Sequence, residues 1–517
     1  MNMKPLINVM LTGLALFIFG PARSQQGISE DMLNMMRKQG INVDGPAPPM
    51  DATKYVRSVV NVDCGTSKGE LLHTEKYNNF SHSEAFVQSR DTDVKFYNKI
   101  GLHGKIYRVW LERDRFYDPA TGKVDFHEMV PYLAAASTVS DYLLVNCNHL
   151  GAGGKDGWKL SVEESINRLA IILSALKKQF PKVRYIEATN EPDYSNEGFT
   201  PANYYDAYTI FYKAVNKVNT ELKPAIPLLV GGPSTAQFTL PWMRGFLDAY
   251  VKDPSSDKHI DFISYHGYFT KPDSAYIMFK DNPALVKDQR ALLSKELTAR
   301  GLNADMPVFI TEMGLYPGPS FDDYPTMKYD RLRQAAGMPS IFYWYMESNN
   351  TYPFNWVFRH QTEGRKDQLV SRDEKGQPFV HTEKLTPYGN AMLMMSKLKT
   401  ERLAASTSTP ITSGKGLYAL AAKDNSGVSV MVWNYQGKQT EGYTFDMNVN
   451  NLPNALKNKN VTVKAYRIDQ KTSNYQNGLE NANLQLVEQT RKAVRNSYSA
   501  SLTLEPNALY LLVLEPK

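Results

Sequence analysis

Through the middle of the chain, short and nearly continuous apolar runs alternate with longer amphipathic ones. Lys105–Leu111, Tyr142–Asn146, Val183–Ala188, Ile226–Gly231, Phe262–His266, Val308–Thr311 and Ile341–Tyr345 read as strands. Asp125–Ser137, Val162–Phe180, Pro201–Val218, Pro241–Val251, Pro283–Arg300, Arg331–Ala336 and Pro387–Leu398 read as helices. Strands without polar alternation belong to a parallel sheet covered on both faces. Seven such units, with an eighth strand required from the segment before Lys105, predict a (β/α)8 barrel. The rival is an open doubly wound sheet. No GxGxxG follows a strand, so a dinucleotide site is unsupported.

The pattern changes on either side of the barrel. From about Thr400, runs such as GLYALAAKD, VSVMVWNYQ, VTVKAYRI and ALYLLVLE are separated by turn residues, which predicts an antiparallel β-sandwich over 400–517. The barrel is expected over 55–399, although its first run, Tyr55–Val62, is a candidate to join the sandwich instead. Residues 25–54 are polar, rich in Pro and Gly, and read as a linker with a short helix near Glu30–Lys38. Residues 1–24 carry one early lysine, an apolar run Pro5–Gly20 and small residues at Ala22 and Ser24, the layout of a cleaved signal peptide. The expected location is therefore exported, periplasmic or secreted, with no stable membrane span once the leader is removed.

Composition narrows the function classes. A hydrophobic content of 42% with 22% charged residues is that of an ordinary folded protein, not a disordered one. The net charge of +6 is spread without a dense Lys/Arg run, which argues against nucleic acid as a partner. The 31 tyrosines suit stacking on sugar rings but also suit cores. Cys64 and Cys147 stand in or beside strand-like runs and are expected to be two buried thiols. With neither CxxC nor HExxH spacing, no metal and no cofactor is expected.

In such a barrel the site lies at the C-terminal ends of the strands. Those ends carry Arg108 and Trp110, then Asn146, Asn148 and His149, then Asn190 and Glu191, His266 and Tyr268, Glu312, and finally Glu347 and Asn349. Two of them are glutamates at the ends of apolar strands, Glu191 in YIEATNEPDY and a lone one, Glu312, in VFITEMG. Two carboxylates set across a glycosidic bond can hydrolyse it, one as proton donor and the other supporting charge at the sugar carbon. Arg108 and Tyr268 are placed to hold one of them, and Asn190 to bind a sugar hydroxyl.

ATNEP on the fourth strand and ITEMG on the seventh together resemble the glycoside hydrolases of clan A. VNVDCGTSKGELLHTEKYNNFSH, KIYRVWLERDRFYDPATGKVDF, LLVGGPSTAQF and DFISYHGY are similar to segments of family 39, the group of β-xylosidases and α-L-iduronidases. The resemblance implies that Glu191 is the acid/base and Glu312 the nucleophile of a retaining hydrolase. It also implies that Asn190 binds the sugar 2-hydroxyl and that His266 and Tyr268 line the site. One position departs: where the family places a His shortly after the strand-two Arg, this chain has Val109-Trp110-Leu111-Glu112. The expected substrate is a carbohydrate, an oligo- or polysaccharide. An endo-acting agarase- or porphyranase-like hydrolase and a non-catalytic carbohydrate-binding barrel are the alternatives.

Overall fold

The computed structural model describes residues 50–80, 97–111, 116–147, 160–194, 198–268, 282–315, 330–356, 384–437 and 439–517, together with Asn34. The expected signal peptide and most of the linker lie outside these residues. In chain order the first part comprises β1 (Lys54–Glu70), β2 (Tyr77–Asn79), β3 (Gly104–Trp110), a small hairpin of β4 (Tyr117–Asp118) and β5 (Lys123–Val124), and α1 (Val130–Thr138). It continues with β6 (Ser140–Cys147), α2 (Val162–Gln179), β7 (Val183–Ala188), α3 (Tyr204–Leu222), β8 (Leu229–Thr235), α4 (Leu240–Lys252), β9 (Phe262–Tyr268) and α5 (Gln289–Thr298). β10 (Val308–Gly314), α6 (Asp330–Tyr345), β11 (Thr351–Asn355) and α7 (Pro387–Met395) complete it.

Eight of these strands close a parallel barrel in the order β10-β11-β2-β3-β6-β7-β8-β9. The helices start where local chemistry allows it. At α2, Ser161 Oγ accepts the Glu164 N–H while the Glu164 carboxylate accepts the Ser161 N–H, a reciprocal cap that satisfies two amides without helical partners.

One strand assignment is corrected. Ile341–Tyr345 is the end of α6, not a strand, and the eighth barrel strand is β11. The reason is burial. Residues 331–342 are buried without interruption, because α6 is wedged between the barrel and the second domain. A helix covered all round has no polar stripe to reveal its period.

The barrel interior is layered along its axis. Tyr77, Ile106, Leu144, Phe262, Phe309 and Phe354 form an apolar floor at the N-terminal ends of the strands. Phe262 stacks on Phe309 at 4.7 Å between ring centroids, and Tyr185 meets Phe309 edge-on at 5.2 Å. Above the floor the interior turns polar, with Asn79, Arg108, Asn146, Glu187 and Thr311 all buried.

The second domain is one nine-stranded sheet that curls over its own core. It contains β12 (Glu401–Thr407), β13 (Gly416–Asp424), β14 (Gly427–Tyr435), β15 (Glu441–Asn450), β16 (Asn460–Ile468), β17 (Gln485–Ala493), β18 (Tyr498–Leu504) and β19 (Leu509–Pro516). The strand order is β17-β16-β19-β14-β13-β12-β1-β15-β18. Its core draws Phe445 and Met447 from one wing and Val430 and Leu512 from the other. β1 joins this sheet, antiparallel to β12 but parallel to β15, so the sheet is mixed rather than purely antiparallel. The sheet's outer face packs on the barrel, where Trp433 stacks on Tyr418 and donates its indole N–H to Ser340 Oγ at 2.8 Å. Cys64 lies in the sheet and Cys147 in the barrel, both buried free thiols.

Candidate active site

Arg108, from the middle of β3, is fully buried at the centre of the polar layer. A guanidinium carries five donors and cannot shed its charge, so a buried one must be surrounded by acceptors. Its Nε donates to Glu187 Oε2 at 2.8 Å and its Nη1 to Glu312 Oε1 at 2.6 Å. Nη1 also reaches Asn79 Oδ1 at 3.1 Å, and Nη2 donates to Asn190 Oδ1 at 2.7 Å. The guanidinium further lies 4.7 Å from the centroid of the Trp110 ring, a favourable cation–π placement. Trp110 meets Trp356, the residue after β11, edge-on at 6.1 Å.

Glu191 stands just past the end of β7 on irregular backbone. Thr189 and Glu191 have φ of 65° and 47°, and Ser234, past the middle of β8, has φ of 54°. Residues other than glycine adopt this left-handed region only when their surroundings hold them there. Here the two segments lock each other: the Glu191 N–H donates to the Ser234 carbonyl at 2.9 Å, and the Ala236 N–H donates to Asp193 Oδ1 at 2.7 Å. The lock turns the Glu191 side chain toward β9, where its Oε1 lies 2.8 Å from His266 Nδ1. The same nitrogen is 3.6 Å from Glu312 Oε2. One carboxylate oxygen each from Glu191 and Glu312 and a ring nitrogen of His266 all lie within 4.8 Å of one another.

The two glutamates differ in setting. Glu312 is 5% exposed and held by Arg108, whereas the Glu191 side chain keeps 28% of its surface open. Burial pushes the Glu312 carboxyl above its ordinary range, while His266 and Arg108 pull it back. Burial alone would discharge His266, but Glu312 and Glu191 outweigh it and raise its affinity for a proton. Asp193 is pushed up to about 6, chiefly by burial, with the Ala236 N–H opposing and the charge of Glu191 adding to the rise.

Among the described residues these three are the one His/Asp/Glu group close enough to share a metal ion. Arg108 already engages Glu312, so a divalent cation there would compete with a buried guanidinium for the same carboxylate.

Of the residues singled out in the sequence, the structure brings Arg108, Trp110, Asn190, Glu191, His266 and Glu312 to one end of the barrel. His149 lies outside the described residues, and so does the side chain of Tyr268, which ends β9. Glu347 does not belong to the group. It lies between α6 and β11, at the opposite end of the barrel, and pairs with Arg402 of β12. Its expected place depended on reading Ile341–Tyr345 as a strand. Glu187, Asn79 and Asp193 join the site without standing at an expected strand end. Glu187 had a visible signal, a carboxylate inside the apolar run VRYIEA, which needs a buried partner.

The family model described as Glycosyl hydrolases family 39 matches residues 177–474, more than half of the chain. No curated protein matches the sequence. Among solved structures, the bacterial orthologue of human α-L-iduronidase is similar with a TM-score of 0.68 at 14% identity, over 89% of this chain and 84% of that one. A monomeric β-xylosidase from Caulobacter crescentus CB15 gives 0.65 at 14% identity, over 89% and 99% of the two chains. The family 39 enzyme from Xanthomonas axonopodis pv. citri gives 0.64 at 14% identity, over 90% and 98%. At these identities the likeness is one of fold.

Proposed function

The chain belongs to the family 39 glycosyl hydrolases and is a glycoside hydrolase; from that footing we propose that it is exported and cleaves an oligo- or polysaccharide by double displacement, with Glu312 as nucleophile and Glu191 as acid/base. The observation that carries this is the facing pair of carboxylates at the ends of β7 and β10, with oxygens within 4.8 Å of one another. Retaining hydrolases set their carboxyl groups about 5–5.5 Å apart, while inverting ones leave about 6.5–9.5 Å for a water.

The settings divide the roles. Arg108 fixes Glu312 from below, which aims its other oxygen at the anomeric carbon. Glu191, on the more open side, is reached by the leaving oxygen and later by water. In the first step the Glu191 proton passes to the leaving oxygen as Glu312 forms the bond to C1. In the second, Glu191 takes a proton from water, which displaces Glu312. The Asn190 carbonyl is turned to Arg108, so its amide N–H groups remain to donate to a sugar hydroxyl. Export is supported by the apolar run Pro5–Gly20 and the small residues after it.

The test is chemical rescue. Glu191→Ala should hydrolyse activated aryl glycosides faster with azide present and release a glycosyl azide of retained configuration. A retained azide from Glu312→Ala together with an inverted azide from Glu191→Ala would exchange the two assignments. N-terminal sequencing of the exported protein, expected to begin at Gln25, tests the leader.

A further inference from the structure

Glu187 is a carboxylate with no place in the two-step reaction, yet it is fully buried one layer beneath it. It sits on β7, in the same strand as the approach to Glu191. Its Oε2 accepts from Arg108 Nε at 2.8 Å and from the Asn146 amide at 2.8 Å. The Asn146 amide also donates to the Thr189 carbonyl at 2.7 Å, so Glu187 and the irregular backbone before Glu191 hang from one side chain. The charged groups around it come from every wall. Arg108 is on β3, His266 on β9, Glu312 on β10, and Glu191 past β7. Asn146 of β6 and Thr311 of β10 are its neutral polar neighbours.

The count of charges is informative. With His266 protonated, the layer holds two cations, Arg108 and His266. Glu187 and Glu312 are the two buried carboxylates that face them, while Glu191 stands on the open side. Without Glu187 the same cations would face the reacting pair alone.

We propose that Glu187 is a positioning residue of the reaction: it occupies one edge of the Arg108 fork and balances its charge, so that Arg108 fixes Glu312 without overstabilising it. Two carboxylates share one guanidinium, and the deeper one sets how strongly the cation acts on the upper one. A nucleophile held by an uncompensated cation is a weaker base and attacks more slowly. The inference rests on Glu191 and Glu312 being the reacting pair.

The experiment is the pH profile of kcat/KM on an aryl glycoside that the wild type hydrolyses. Glu187→Gln keeps the shape and an acceptor for Arg108 but removes the charge. Both limbs are expected to move to lower pH by about one unit, since an opposite charge within a few ångströms shifts a carboxyl by about 1–3 units. Activity above neutral pH should then fall roughly tenfold and return on acidification. Glu187→Asp keeps the charge and should keep the limbs in place while lowering kcat. Asn146→Ala leaves Arg108 and Glu187 present and removes one of the donors that, after Arg108 and His266, help hold Glu187 ionised, so the limbs should move the same way by less. It supplies the test should Glu187→Gln fail to fold. A uniform loss at every pH with unmoved limbs in these variants would assign Glu187 a purely structural role and overturn the proposal. Failure of the underlying reading looks different: Glu312→Gln would then remain active.

Discussion

The two ends of the barrel are built from the same eight strands by opposite rules. At the floor, Phe262 stacks on Phe309, Tyr185 meets Phe309 edge-on and Phe354 packs against it at a tilt, a cluster of apolar rings. At the mouth, two cations and three carboxylates sit in one buried or half-buried cluster. The floor tolerates imperfect partners, because dispersion and area burial do not depend on orientation. The mouth does not, because each buried ion depends on a partner at hydrogen-bonding distance. A strand therefore carries two kinds of information: β7 contributes Tyr185 to the floor and Glu187 to the mouth, two residues apart on the same face.

The sharpest way to break this contrast is Arg108→Met. It strands Glu187 and Glu312 as buried, uncompensated carboxylates. The expected cost is about 3–5 kcal/mol in urea unfolding, with kcat/KM reduced by about 1000-fold or more, roughly 4 kcal/mol of transition-state stabilisation. Loss of activity without loss of stability would mean that the mouth is no more demanding than the floor.

Phe309→Ala should cost a comparable 3–5 kcal/mol, at about the usual value for a buried aromatic, while the limbs of the pH–activity profile of the folded enzyme stay where they are. A moved limb would show that floor and mouth are coupled.

Asp193→Asn is a smaller probe. Burial pushes its folded carboxyl up to about 6, well above the usual aspartate range. Its contribution to stability is full below the unfolded value and is lost as pH rises through about 6. The variant, whose amide oxygen can still accept the Ala236 N–H, should therefore gain on the order of 1–2 kcal/mol at pH 7–8 relative to the wild type and nothing at pH 4. Thermal melts at both pH values check the sign.

Glu347→Ala should do least. The pair with Arg402 is more than half exposed on the Glu347 side. A change of about 0–1 kcal/mol in stability and an unchanged kcat/KM are expected. A tenfold fall in activity would return Glu347 to the site.

How far the sequence revealed this contrast follows from its physics. Barrel strands buried on both faces announce themselves as apolar runs, and six of the seven expected from Lys105 onward overlap observed barrel strands. The failure at Ile341–Tyr345 has the same cause as the successes. Uninterrupted burial erases the difference between a helix and a strand, and Pro353 disguised the true eighth strand as a turn. Glu191 and Glu312 were legible because each ends its run. Asn79 was not, because β2 is three residues long and surrounded by irregular sequence. Glu187 was readable in principle, but a charge inside a strand names no partner. Only closure of the barrel brings Arg108 to it.

The position of β1 has a consequence for how the protein is made. During synthesis β1 leaves the ribosome first, but its neighbours β12 and β15 come only after the whole barrel has been translated; Val59 bonds Ser408 across 349 positions. The barrel is thus threaded into a loop that the distal sheet ties shut. Long-range pairings form late, since loop closure precedes the contacts that reward it. Until then, β1 and the unfinished sheet present open edges, the kind of surface that chaperones cover and aggregates exploit. Strands made after the barrel are in this sense the ones that seal the strand made before it.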